Sequence, residues 1–211
     1  MPAESLHVCP VQVCGNGVVE VRHHPLLMRS TAAQLIDAVD SRDRVIRSIK
    51  RGDALRLGAN FRVAHLFLFN DDSELLMQRL AASRPRHPGC WGSSVATYLR
   101  SGESYGEAIV RRALEELGVR LQDPKVLGKT AMSDEGSTKF ICLYSAAWNG
   151  PLTVETDHIS QTCFMSMEEV ARLRADEAWM LTPTFLHLWD AFLHGEEEIR
   201  ASVRIEPEAP S

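Results

Sequence analysis

Four residues in the middle of the chain have types and spacing suited to holding a cation or a phosphate: Glu103, Arg111, Glu115 and Glu116. If Tyr105 to Leu117 is helical, Arg111 stands one turn from Glu115, and Arg112 one turn from Glu116. Glu116 then lies at the margin of an apolar stripe, where a carboxylate is partly desolvated. Glu103 sits just before the helix, so its loop can fold it back over the same end. Two or three carboxylates converging beside a strand, a loop and a helix suit a hard cation of the magnesium type. Such an ion bridges phosphate oxygens and activates a water for attack on phosphorus. The plainer alternative is a helix with solvated Arg–Glu pairs, each worth roughly 0.3–0.5 kcal/mol.

The positioning elements are written around these residues. Ser104 with Glu107 forms a capping box, Gly118 suits a left-handed C-terminal cap, and Ile109, Val110, Ala113, Leu114 and Leu117 make one apolar stripe. Upstream, Phe61 to Asn70 reads as a strand and Glu74 to Arg79 as its hairpin partner across Asn70-Asp71-Asp72-Ser73. Another short apolar piece surrounds Val95. Ser30 or Thr31 suits the cap of a short helix through Ile36, and Val39 to Ile49 reads as strand, turn, strand. Downstream, Lys139 to Trp148 reads as a strand and Cys163 to Met165 as a short one. Ser166 with Glu169 caps a further helix, and Pro183 opens a last helix through Phe192. At the N-terminus, Val-rich runs on either side of Gly15-Asn16-Gly17 suggest a hairpin, with Pro10 pushing the first towards an edge. The chain therefore divides into a β extension (1–30), a main domain (31–195) and an acidic, disordered tail (196–211).

The central spacing resembles the Nudix box: Gly, five residues, Glu, seven residues, Arg-Glu, an aliphatic, any residue, Glu-Glu, any residue, Gly, an aliphatic. Glu103, Arg111, Ala113, Glu115, Glu116, Gly118 and Val119 fall at matching places. Thr97 stands where the first Gly belongs and Arg112 where the first helical Glu belongs. The resemblance spans roughly Asp37 to Phe192. It implies an α/β/α sandwich with a mixed β-sheet, and a Mg2+- or Mn2+-dependent hydrolase of a diphosphate linked to another moiety. It further implies that Glu115 and Glu116 hold the metal, that Glu103 assists as ligand or base, and that Arg111 orients the carboxylates. In that family the residue at position 112 is a principal metal ligand, so a second reading is a binding or regulatory module with impaired catalysis.

Gly89-Cys90-Trp91-Gly92 through Ser104, and the pair Arg111-Arg112, are similar to the isopentenyl-diphosphate isomerase branch. The catalytic positions do not carry over. Ala96 replaces the Cys, Tyr98 and Phe61 replace metal-binding His residues, and Thr138 and Phe140 replace two Glu residues. Alanine has no proton to give to an alkene, so isomerase chemistry ranks third.

Smaller signals bound the rest. Arg79, Arg84 and Arg86, with His87, precede the box as either a solvated loop or a phosphate clamp. Trp91, Tyr144 and Trp148 read as core packing. His7, Cys9, Cys14, His23 and His24 fit no standard zinc spacing. Glu155, Asp157 and Glu196 to Glu198 read as plain surface. The 211 residues carry 23 Lys plus Arg against 28 Asp plus Glu, a net charge of −5 without a basic block. That argues against coating nucleic acid. Apolar runs are too short for a membrane span, no signal peptide is evident, and five scattered cysteines read as reduced thiols. A cytoplasmic location and a small-molecule diphosphate partner are expected, with the oligomeric state left open, a homodimer included.

Overall fold

The computed structural model describes residues 31–193, together with the backbone of two short strands, β1 (Gln12–Cys14) and β2 (Val19–Val21). A 3-10 turn at Thr31–Ala33 leads into an antiparallel pair, β3 (Leu35–Val39) and β4 (Val45–Lys50). Next come β5 (Phe61–Phe69), β6 (Leu75–Leu80), β7 (Trp91–Gly92), β8 (Val95–Tyr98) and the helix α1 (Tyr105–Leu117). A long hairpin follows, β9 (Lys125–Asp134) with β10 (Ser137–Ala147). The described chain finishes with β11 (Leu152–Val154), β12 (Ile159–Met165), α2 (Met167–Glu177) and α3 (Pro183–Phe192).

The main sheet runs β1-β12-β6-β5-β10-β9, with β7 on β6 and β8 on β5. It is mixed: β10 lies parallel to β5 and antiparallel to β9. Strand β5 is apolar nearly throughout because both of its faces are covered. Phe61, Val63, Phe67 and Phe69 enter one core with Ile36, Val170, Phe185 and Leu188, so β3, α2 and α3 pack on that side. Ala64, Leu66 and Leu68 enter the other core with Ala108, Ile109, Ala113 and Leu117 of α1. Helices on both faces of a mixed sheet make the α/β/α sandwich that was expected. No helix among the described residues is long and apolar enough to cross a membrane.

Among the described residues, the two N-terminal strands pair with later strands and not with each other. β1 pairs in parallel with β12, and β2 in parallel with β11. Two three-residue strands are too short to stand alone, whereas the edges of β12 and β11 are backed by a core. The His7/Cys9/His23/His24 cluster and the 196–211 tail lie outside the described residues. On α1, Val110 and Leu114 are exposed, so the buried stripe is narrower than the sequence suggests and takes in Glu116 instead.

Candidate functional site

Helix α1 starts and stops as its sequence dictates. Ser104 Oγ accepts from the Glu107 N–H, and the Glu107 carboxylate accepts from the Ser104 N–H at 2.9 Å. Gly118 closes the helix at φ +69°, where its N–H donates to the Leu114 carbonyl. With Ala108, Ile109, Ala113 and Leu117 turned to the sheet, residues 111, 112, 115 and 116 run along one flank.

A strand far away in sequence sets the loop facing that flank. Asp37 on β3 is buried and accepts from Ser101 Oγ at 2.6 Å, Gly102 N–H at 2.9 Å and Ser48 Oγ at 3.1 Å. Burial alone would raise its pKa, but these bonds prevail and hold the carboxyl below its ordinary range. Glu103, next along, folds back over the helix. Arg111 grips it through two bonds, Nε to Oε1 at 2.6 Å and Nη2 to Oε2 at 2.9 Å, and reaches Glu115 with Nη1 at 3.0 Å. Burial pushes the Glu103 carboxyl up, and the Arg111 bonds outweigh it, leaving its pKa lowered.

Arg112 turns inward. Its Nη2 stands 2.5 Å from Glu116 Oε1, its Nη1 3.3 Å from Glu115 Oε2, and Nη2 is 3.9 Å from Glu155 Oε2. Glu116 is 5% exposed. Its Oε2 is buried and has no hydrogen-bond partner among the described residues. Burial raises the Glu116 pKa against the pull of Arg112, and the nearby Glu155 raises it further. Glu155, which the sequence suggested as plain surface, thus belongs to the cluster; its N–H also donates to the Glu116 carbonyl.

The donor set decides whether a divalent ion fits. Both oxygens of Glu103 and of Glu115, and Oε1 of Glu116, each accept from an arginine side chain: Arg100, Arg111 or Arg112. Magnesium needs oxygens converging at about 2.0–2.1 Å in an octahedron. Here a guanidinium fills the interval between Glu115 and Glu116. Among the described residues, no group of three His, Cys, Asp or Glu is disposed to hold a metal. The residues as arranged therefore do not fit the implied magnesium or manganese. Nor do the isomerase-type ligand positions: Phe61 and Tyr98 form a stacked ring pair, with centroids 5.1 Å apart.

The three candidate phosphate arginines do not converge. Arg79 Nε donates to the Gly89 carbonyl at 3.0 Å, with its guanidinium 6.0 Å from the Trp91 ring centre, bracing the loop between them. Arg86 pairs with Asp134 at 2.5 Å on the outer hairpin. Arg84 alone reaches the cluster: its charge acts on Glu155 and His158, and among the described residues it makes no ion pair. Its Nε is buried and has no hydrogen-bond partner among the described residues. Sequence reasoning missed Arg51, which lies over the Tyr98 ring at 4.0 Å and is close enough to Arg84 and Arg112 to feel their charge. It missed Asp37 and Glu155 as well. No local spacing ties these three to the box; the sheet and loops bring them there.

Comparison with known proteins agrees with this architecture. A NUDIX domain family model matches residues 59–185. An uncharacterized Nudix hydrolase of Pseudomonas aeruginosa is 30% identical, over 64% of this chain and 80% of its own length. An isopentenyl-diphosphate Delta-isomerase of Photorhabdus laumondii is 28% identical, over 72% of this chain and 90% of its own. A solved protein of Deinococcus radiodurans superposes with a TM-score of 0.61 at 28% identity, covering 81% of this chain and all of that one. On its box helix, its mixed sheet and these matches, the chain belongs to the Nudix family.

Proposed function

We propose that the protein hydrolyses the phosphoric anhydride bond of a small-molecule diphosphate linked to another moiety. The observation that carries this reading is the buried Oε2 of Glu116, which has no hydrogen-bond partner among the described residues and is set among guanidiniums on the box helix. Arg51 and Arg84, which have no carboxylate partners among the described residues, offer their donors to phosphate oxygens and offset the charge that grows there. Glu116, made more basic by burial, takes a proton from a water as its oxygen attacks phosphorus. The anhydride P–O bond breaks and the departing phosphate keeps the electron pair. Glu103 and Arg111 fix Glu115 and the helix flank during that exchange. Members of the family generally use magnesium or manganese; this donor set leaves no place for one, and no step above needs it.

The test is phosphate release from a panel of nucleoside and isoprenoid diphosphates, with magnesium and with a chelator, for the wild type and Glu116→Gln. Turnover that Glu116→Gln abolishes is expected. Failure on every substrate, with ligand affinity untouched by the substitution, would remove the hydrolase reading. A binding module is the second reading, favoured by the Arg112–Glu116 bond at 2.5 Å, which occupies the carboxylate that hydrolysis requires. Measurable turnover excludes it.

A further inference from the structure

We infer that the guanidinium of Arg112 takes the place of the divalent ion, so that the protein binds a diphosphate without metal. The inference rests on the diphosphate reading above and deepens it.

The position of the guanidinium is the first ground. Arg112 lies between Glu115 Oε2 at 3.3 Å and Glu116 Oε1 at 2.5 Å, with Glu155 Oε2 at 3.9 Å completing a ring of carboxylates around one cation. The side chain is largely enclosed, 20% exposed, and the side chain of Glu116, at 7%, is more so. A flat, permanently charged fork suits this arrangement better than an ammonium would. Displacing it with a metal would leave a buried guanidinium in search of new partners, and a buried charge without a partner is strongly unfavourable.

The second ground is the charge that surrounds it. A guanidinium brings one positive charge where magnesium brings two. Arg51 and Arg84 more than supply the one missing charge: both lie within electrostatic reach of this site, and neither makes an ion pair among the described residues. Arg51 lies over the Tyr98 ring, 4.0 Å from its centre, which keeps a cation in place without neutralising it. Among the described residues the buried Nε of Arg84 has no acceptor, and a phosphate oxygen is the acceptor such a donor would take. Two guanidiniums without a carboxylate partner among the described residues, beside a carboxylate-bound guanidinium, make a cradle for a dianionic group.

The experiment uses the full chain, stripped of metal. Inorganic pyrophosphate is titrated calorimetrically in chelator and in magnesium, and Mn2+ binding is followed by its electron paramagnetic resonance signal. Wild type is expected to bind pyrophosphate equally in both buffers and to leave Mn2+ free. Arg112→Glu should acquire Mn2+ binding and make pyrophosphate binding metal-dependent by about tenfold or more. If that variant does not fold, Arg112→Gln serves: its pyrophosphate affinity in chelator should fall about tenfold. Mn2+ bound by the wild type as tightly as by Arg112→Glu, or pyrophosphate held only with magnesium, overturns the inference and leaves the diphosphate reading intact. Pyrophosphate bound in neither buffer overturns both.

Discussion

The backbone N–H of Gly102 donates to the carboxylate of Asp37 at 2.9 Å, tying the loop before α1 to a strand 65 positions earlier. Because Ser101 Oγ shares the same carboxylate, the two residues preceding Glu103 are fixed by one side chain. Asp37→Asn removes the negative charge that strengthens these bonds and lets only one of its two terminal atoms accept. Stability should drop by about 1–3 kcal/mol, and turnover should fall with the displaced Glu103. Since the folded pKa of Asp37 is depressed, its contribution is present above the ordinary value of 3.8 and is lost as pH falls through the folded value. Urea unfolding of both proteins at falling pH should show the gap narrowing in acid. A gap that persists would exclude this role.

Arg111 joins Glu103 and Glu115 through three bonds, two of them a fork on one carboxylate. A lysine keeps the charge and cannot make the fork. Arg111→Lys should reduce turnover by roughly 10–100-fold, as loss of an orienting partner does, while the melting temperature moves little. Equal turnover of the two proteins would mean that the carboxylates hold their positions unaided.

His65 is buried on β5, its Nδ1 2.9 Å from Ser93 Oγ, and burial, with Lys139 adding to it, pushes its pKa down to about 3. The ring is neutral in the folded protein. The unfolded chain takes a proton near the ordinary value of 6.5, so stability declines as pH drops from there towards about 3. The decline should approach about 1.4 kcal/mol per pH unit in the middle of that window. His65→Gln should remove this component of the slope. Nuclear magnetic resonance of the ring protons should show no titration of His65 around neutrality.

Gly118 combines two demands. Its φ of +69° favours glycine, and a Cβ there would meet Thr153 Cβ at 2.9 Å, where β11 crosses the end of the helix. Gly118→Ala should therefore cost about 1–3 kcal/mol, more than the left-handed conformation alone demands. Thermal unfolding measures it. A loss below about 1 kcal/mol would mean that β11 yields readily.

The elements whose signals are local could be read from the chain alone. The capping boxes at Ser104 and Ser166, Pro183 at the start of α3 and the apolar run of β5 all act within a few residues. β9 carries no such signal. Half of its residues are exposed and only one is buried, with Lys125, Gly128 and Lys129 among few branched residues, and it is a strand because β10 pairs with it. The site divides in the same way. Glu103, Arg111, Glu115 and Glu116 are related by helical spacing, while Asp37, Arg51 and Glu155 enter through sheet pairing and loop closure. The two N-terminal strands mislead for the same reason, as their partners lie some 140 residues downstream (about the separation of Val13 from Thr162 or Val19 from Leu152).

The parallel register of β5 with β10, Phe61 opposite Lys139 through Phe69 opposite Ala147, has a consequence for how the chain assembles. Everything from β6 to β9 must be synthesised before that pairing is available, while α1, closed by its own caps, can form early. Until then the apolar strand Phe61–Phe69 has one long edge uncovered, and non-local pairings of this kind form slowly. Nascent or heat-stressed chains should therefore associate through this strand, which makes β5 the segment for a chaperone to shield.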